Sequence, residues 1–442
     1  MSRTEQTFEL LRKFESRNIF HEEKDPQWPI VWDRAKGVWV WDIEGKKYLD
    51  LTSAFGVAAA GHANTEVVEA ATQQMHRLLH GMGDVHPHEV KAKLLEQLSR
   101  ITFERWTHCR KIAMEGKSIL GSSGFEAVEA ALKTAFLATG EKRVIAFKGG
   151  YHGLGYGALS TTHRKMFRDP FRDQLRRFGS FVTYPQDKDE EKTCWEEIEK
   201  VREKEKIGAV LIEPIQGRGG IKVPHKGFFG RLRKFCDEQG IILIADEIYT
   251  GFGRTGDLFA VEHENVVPDI VCLGKALTGG FPLSACVGES DLMDRAWPES
   301  TGEAIHTSTY LGHPVGCAMA LAQIEEVEER GLAERAQERG AWLKKKLSRI
   351  PSQVSNLKLS VRGRGLMIGI EVRNGNDQPA TDVVIHCMKQ MLGEGFIILP
   401  EGDDSEVISL APPLVVTEGQ LGRAVDALGK ILISLGEPGE AS

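Results

Sequence analysis

The 442-residue chain has no Cys-x-x-Cys pair; its seven cysteines, Cys109, Cys194, Cys236, Cys272, Cys286, Cys317 and Cys387, stand apart. That scatter argues for reduced thiols packed in a core and against a disulfide framework or a cysteine metal cage. His86 and His88, with Asp84 and Glu89 close by, match no established ligand spacing, so no metal site is expected. A basic run is missing too. With 56 Lys and Arg against 63 Asp and Glu, and a net charge of −7, the surface would repel phosphate backbones, which excludes nucleic acid as a partner. Apolar runs such as Ile241 to Ala245 break off long before membrane-spanning length, so neither a transmembrane helix nor a membrane partner is expected. Met1 to Glu23 alternates charged and apolar residues without the continuous apolar stretch of a secretory signal, and this predicts a cytoplasmic protein. Internal repeats, low-complexity tracts and long linkers are also lacking, so the domains must share a compact interface.

What is present is a chain too long for one ordinary core, which predicts two or three domains. Apolar runs at Val144 to Phe147, Ala209 to Ile212, Ile241 to Ala245, Ile270 to Leu273 and Ser284 to Val287 predict buried strands, most of them separated by helical stretches. The fold class is therefore α/β, with a mainly parallel sheet covered by helices and ligands gathered at the carboxyl ends of the strands. Phe125 to Ala138 and Val315 to Leu347, the latter broken near Gly331, have helical spacing. Val38 to Leu51 predicts a hairpin around Glu44-Gly45, and Leu357 to Val372 and Phe396 to Leu414 supply late strands. The first and last segments are expected to pair in one smaller domain. This gives residues 1–75 and 346–442 to a small α+β domain and 76–345 to a large one.

Several of these segments carry residues suited to chemistry. Gly121-Ser122-Ser123-Gly124-Phe125-Glu126 sets a glycine-containing loop before a helix, where free N–H groups and the helix dipole attract phosphate; taken alone it equally describes a Ser-capped helix. Lys148-Gly149-Gly150-Tyr151-His152-Gly153 follows a strand and offers an aromatic ring between glycines for stacking on a flat ligand. Glu213, before Pro214 and Gln216-Gly217, puts a carboxylate at a strand end. Asp246-Glu247 ends another strand ahead of Gly251-Phe252-Gly253-Arg254-Thr255-Gly256, and a carboxylate there can hold a protonated ring nitrogen. Lys275 follows Ile270 to Gly274 and precedes Gly279-Gly280. Its apolar approach would lower the amine's pKa toward the nucleophilic range. A phosphate loop, a stacking ring, a ring-nitrogen acid and an approachable lysine are the parts needed to run pyridoxal 5'-phosphate.

With Gly56-Val57 and Gly61-His62 added in order, these motifs resemble those of the class III aminotransferases, a fold-type-I pyridoxal-phosphate family, from about Val38 to near the C-terminus. The resemblance implies that Lys275 is the Schiff-base lysine, Asp246 the partner of the pyridine nitrogen, Tyr151 the stacking ring and Ile248 the apolar contact on the opposite face. Gly124 and Phe125 would cradle the phosphate through backbone amides, with Ser123, His152 and Glu213 also placed against the cofactor, and Phe55 and Val57 would face the substrate. His306-Thr307-Ser308-Thr309-Tyr310 is similar to the segment whose threonine reaches the neighbouring subunit's phosphate. Thr309 thus implies a homodimer with shared active sites.

Three departures bear on the substrate. Leu154 stands where relatives acting on 4-aminobutyrate or ornithine often have arginine, Ser409 where a second arginine is expected before Pro412-Pro413-Leu414, and Arg218 where the family has glutamate. Arg218 with Ser409 reads as a charge exchange across one gate, with Arg218 taking over carboxylate recognition through two parallel hydrogen bonds. The expected reaction is amino transfer from a primary amine or amino acid, including a non-α amine donor, to a 2-oxo acid. Racemisation, epimerisation or amino-group migration by the same cofactor machinery is the alternative. A non-catalytic, cofactor-sensing protein is opposed by the intact lysine and acid.

Overall fold

A computed structural model of the chain describes residues 1–19, 28–350, 354 and 356–436. Residues 20–23 of the N-terminal stretch read above, and 437–442 of the last segment, lie outside the described residues. Within the described part of that stretch, Arg3–Phe14 is a helix, capped reciprocally by Ser2 and Glu5. Strands β1 (Trp32–Lys36), β2 (Trp39–Asp42) and β3 (Lys47–Asp50) form an antiparallel meander whose second turn lies at Glu44-Gly45.

Seven strands make the central sheet: β4 (Gly116–Gly121), β5 (Arg143–Phe147), β6 (Gly179–Val182), β7 (Ile207–Ile212), β8 (Ile242–Asp246), β9 (Ile270–Leu273) and β10 (Ser284–Glu289), in spatial order β4-β10-β9-β8-β7-β5-β6. The run β9-β8-β7-β5-β6 is parallel, and β10 lies antiparallel to both of its neighbours. Helices cover both faces of such a sheet, so its inner strands are apolar runs rather than alternating; every residue of β7 and β9 is buried. The helix Gly124–Thr139 packs alanines and small aliphatics (Ala127, Val128, Ala130, Ala131) against one face. It stops at Gly140, whose φ of +70° ends it in the left-handed region.

The late segments meet the early ones through one short strand and otherwise pair among themselves. Strands β11 (Leu357–Arg364), β12 (Met367–Asn374), β14 (Leu399–Glu401) and β15 (Val407–Leu410) form their own antiparallel sheet, while the two-residue β13 (Phe396–Ile397) crosses to lie parallel to β3. The chain ends thus make two four-stranded sheets. Arg254, fully buried, ties them to the central sheet by donating to the carbonyl of Leu366 at 3.1 Å and to Ser53 Oγ at 3.1 Å. No helix among the described residues is long and apolar enough to cross a membrane.

Candidate active site

Because β5, β7, β8 and β9 are parallel neighbours, their carboxyl ends emerge along one edge, and each releases one of the sequence candidates there. The loop after β5 carries Tyr151 and His152, β7 ends at Glu213, β8 ends in Asp246 and β9 leads to Lys275.

Asp246 is buried, with Oδ2 2.7 Å from Nδ1 of the buried His152 and Oδ1 accepting from the Ile248 N–H at 3.2 Å. The imidazole takes up one oxygen of Asp246, and further lone pairs of the carboxyl group remain for a ligand N–H. Glu213 accepts from the backbone N–H of Tyr151 at 2.9 Å and of Gly217 at 3.0 Å. It therefore fixes both ends of the site's floor. Burial pushes its carboxyl up to about 7, opposed by His152, helped by Asp246 and opposed again by the two N–H groups. Glu247, the second acid of the pair, turns away into the core, where Thr250 Oγ1 and the Val261 N–H donate to it.

Lys275 takes φ +39°, a left-handed backbone costly for a side-chain-bearing residue. Its Nζ lies 4.3 Å from the centre of the Tyr249 ring. Burial lowers the amine's pKa, with Asp246, Glu213 and Glu401 opposing the effect, so a larger share of neutral amine is available near neutrality. Tyr249 was no candidate in the sequence. Its ring fills the space that side chains at Gly56 and Gly217 would occupy, since a Cβ at either glycine would meet it at 2.3 Å. Phe55-Gly56-Val57 is thereby brought across Tyr249, with Phe55 exposed at φ +64° and Val57 half-buried.

The helix Gly124–Thr139 begins beside this edge. Glu126 turns back to accept from the N–H of Ser122 at 2.6 Å and of Ser123 at 2.8 Å, and Ser284 Oγ donates to the Ser123 carbonyl at 2.6 Å. The first-turn N–H groups of Gly124 and Phe125 have no acceptor inside the helix and suit an anion. Gly124 packs on Ile248, where a Cβ would come within 3.1 Å, and Gly153, at φ +110°, admits Phe125, whose Cβ would lie 2.4 Å from an added one. Tyr151 is half-buried, edge-on to Phe167 at 5.7 Å, with the Arg218 guanidinium 5.3 Å above its ring.

These residues fit pyridoxal phosphate: an anchored, buried acid for the ring nitrogen, a helix start for the phosphate, and Ile248 and Tyr151 for the ring faces. His152 Nε2, buried and without a hydrogen-bond partner among the described residues, adds a polar atom for a ligand. Thr309 is not brought to Lys275; it is exposed, next to Ser308 and Thr307, which binds Asp84 at 2.6 Å. The Arg218 and Ser409 exchange also takes a different form. Ser409 hydrogen-bonds Tyr249, and Arg218 faces an acid the sequence did not flag, Glu401, at 4.0 Å.

A family model described as aminotransferase class-III matches residues 20–432. An acetylornithine aminotransferase of Methanosarcina acetivorans is 37% identical over 403 residues, 90% of this chain and 91% of that protein. A 5-aminovalerate aminotransferase of Pseudomonas aeruginosa is 34% identical over 413 residues, 91% and 93% respectively. Among solved structures, the ornithine aminotransferase of Toxoplasma gondii superposes with a TM-score of 0.84 at 28% identity, covering 99% of this chain and 96% of that one. An amine transaminase from an uncultivated Pseudomonas species, in its PLP-bound form, also gives 0.84 at 28% identity, covering 95% and 99%.

Proposed function

The chain belongs to the class III aminotransferases, pyridoxal-phosphate enzymes that move an amino group from an amine or amino acid to a 2-oxo acid, and from that premise we propose the roles of its residues. Bound at this edge, pyridoxal phosphate supplies an aldehyde that joins to amines and a ring that withdraws electrons from the carbon losing its proton. Lys275 would hold that aldehyde, and its amine would accept and return the proton of the substrate carbon. Asp246, oriented by His152, keeps the ring nitrogen protonated. Gly124 and Phe125 bind the phosphate through their N–H groups, with Ser123 beside them, while Tyr151 and Ile248 hold the ring between them. Glu213 sets the Tyr151 and Gly217 backbone. The supporting observation is the gathering of Lys275, Asp246, His152 and Glu213 from four parallel strands onto one edge.

For the substrate, we propose that Arg218 takes the carboxylate of the 2-oxo acid, beside Phe55 and Val57. Its Nε is buried and has no hydrogen-bond partner among the described residues, and the guanidinium stands over Tyr151 at 5.3 Å. The named activities of the relatives, on acetylornithine and 5-aminovalerate, together with Leu154 and Ser409 in place of arginines, favour a donor whose reacting amine is remote from a carboxylate. Arg218→Ala should raise the KM for pyruvate roughly ten- to hundredfold with a smaller change in kcat, since a charge-assisted bidentate contact is lost; an unchanged KM removes the role.

The molecule is proposed to act in the cytoplasm as a homodimer in which Thr309 completes the partner's phosphate site. Exposed Phe55, Leu79, Met82, Val85 and Tyr310 support a covered surface near that segment. We also propose that 1–75 and 346–442 make up one small domain beside 76–345, a reading supported by the pairing of β13 with β3.

A further inference from the structure

Glu401 ends β14 and is almost wholly buried, its side chain 8% exposed against 39% for Arg218. The two residues are set by backbone contact: the Gly402 N–H donates to the Arg218 carbonyl at 3.1 Å. Arg362 holds the same loop by donating to the Gly220 carbonyl at 2.7 Å, and Gly220 has no side chain to keep it from Val407 and Gly402. Yet the pair itself is not hydrogen-bonded. Arg218 Nε and Glu401 Oε2 lie 4.0 Å apart, and each is buried without a hydrogen-bond partner among the described residues. One is a donor, the other an acceptor, and the gap is too long for a direct bond.

The groups facing Glu401 come from four segments. Arg218 follows β7, Tyr249 follows β8, Lys275 follows β9, and Arg164 approaches from the loop after Thr161. Arg164 is engaged by Asp403 at 3.4 Å, and Lys275 is the amine assigned above to the cofactor. Tyr249 is bound to Ser409, and burial keeps its phenol neutral. Arg218 is therefore the cation whose charge Glu401 balances.

We infer that Glu401 is the resident counter-ion of Arg218, displaced when a substrate carboxylate docks, and that it sets how strongly the site prefers a carboxylate-bearing acceptor over an uncharged ligand. The inference rests on the reading of Arg218 as the carboxylate site. While a donor without a nearby carboxylate is bound, Glu401 balances Arg218, and its own buried charge is not left alone. When a 2-oxo acid arrives, its carboxylate replaces Glu401 at the guanidinium and must overcome both the competition and the like charge. Protonation of Glu401 removes both obstacles. Burial raises its pKa, against the pull of Arg218, Arg164 and Lys275, so anion affinity increases as pH falls toward that raised value.

The test is calorimetric binding to the holoenzyme of pentanoate, an unreactive carboxylate, and of pentanamide, its uncharged counterpart. Glu401→Gln should tighten pentanoate roughly tenfold and leave pentanamide unchanged, while Glu401→Asp should return pentanoate affinity toward the wild-type value. In the unaltered enzyme, pentanoate should bind more tightly as pH falls through the raised titration range of Glu401, and Glu401→Gln should lessen that dependence. If Arg218→Ala weakens pentanoate but Glu401→Gln does not tighten it, or shifts both probes alike, the counter-ion role is overturned and the carboxylate site stands. If Arg218→Ala leaves pentanoate affinity unchanged, both fall. A pH-independent affinity in the unaltered enzyme also overturns the role.

Discussion

At the scale of single residues, the adjacent acids Asp246 and Glu247 show how one peptide step separates chemistry from architecture. Asp246 faces His152 and the strand-end edge, whereas Glu247 is sealed beneath the loop at Val261. Burial pushes the Glu247 carboxyl up to about 7, with Thr250 and the backbone N–H groups opposing. A folded-state pKa raised above the unfolded value contributes stability at pH below the unfolded value and loses it as pH rises through the folded one. The apoprotein's unfolding free energy should therefore decline between about pH 5 and about pH 8, and Glu247→Gln should flatten that decline in denaturant titrations. A slope unchanged by the substitution contradicts the assignment. Lys275, Asp246, Glu213 and Tyr151 were legible in the sequence because each comes just after an apolar strand, where chemistry gathers in a parallel sheet. Glu401 and Tyr249 were not. Glu401 ends a three-residue strand behind the apolar run Phe396 to Leu399, but its meaning comes from Arg218, a contact made by the fold. Tyr249 had a faint signal in Gly56 and Gly217, but only coordinates reveal which ring the two glycines make room for.

At the scale of elements, the phosphate-facing helix start depends on an acid that never touches the ligand. Glu126 gathers the Ser122 and Ser123 N–H groups and so directs the next two outward. Replacing it with alanine should cost about 1–2 kcal/mol of stability, the usual loss for a helix cap, seen as a lowered midpoint in denaturant unfolding; an unaltered midpoint speaks against the cap. Strand existence was readable wherever the chain is apolar on both faces, as in β7 and β9. Direction was not readable: β10 is a buried strand like those of the parallel run, yet it runs against β9, because periodicity carries no sign. The first helix escaped notice although Ser2 and Glu5 already had the spacing of a capping box.

At the scale of the whole molecule, the sequence showed that both chain ends contribute strands late and early, but not that they divide into two sheets joined through β13 and Arg254. That division depends on a two-residue parallel contact, Phe396 with Leu49 and Ile397 with Asp50, too short for any sequence pattern. The exposed apolar residues around Met82 and Tyr310, with Thr309 among them, lead to an expectation for assembly. Sedimentation of the holoenzyme should give twice the chain mass, and Thr309→Ala should weaken cofactor retention without dissociating the dimer. A monomer that retains full cofactor affinity contradicts shared sites.

The account depends most on a single covalent attachment. Borohydride reduction of the purified holoenzyme, followed by peptide mapping, should place one pyridoxyl label on Lys275 and leave Lys275→Ala unlabelled. A label on any other lysine, or an unlabelled wild-type chain that still transaminates, contradicts it.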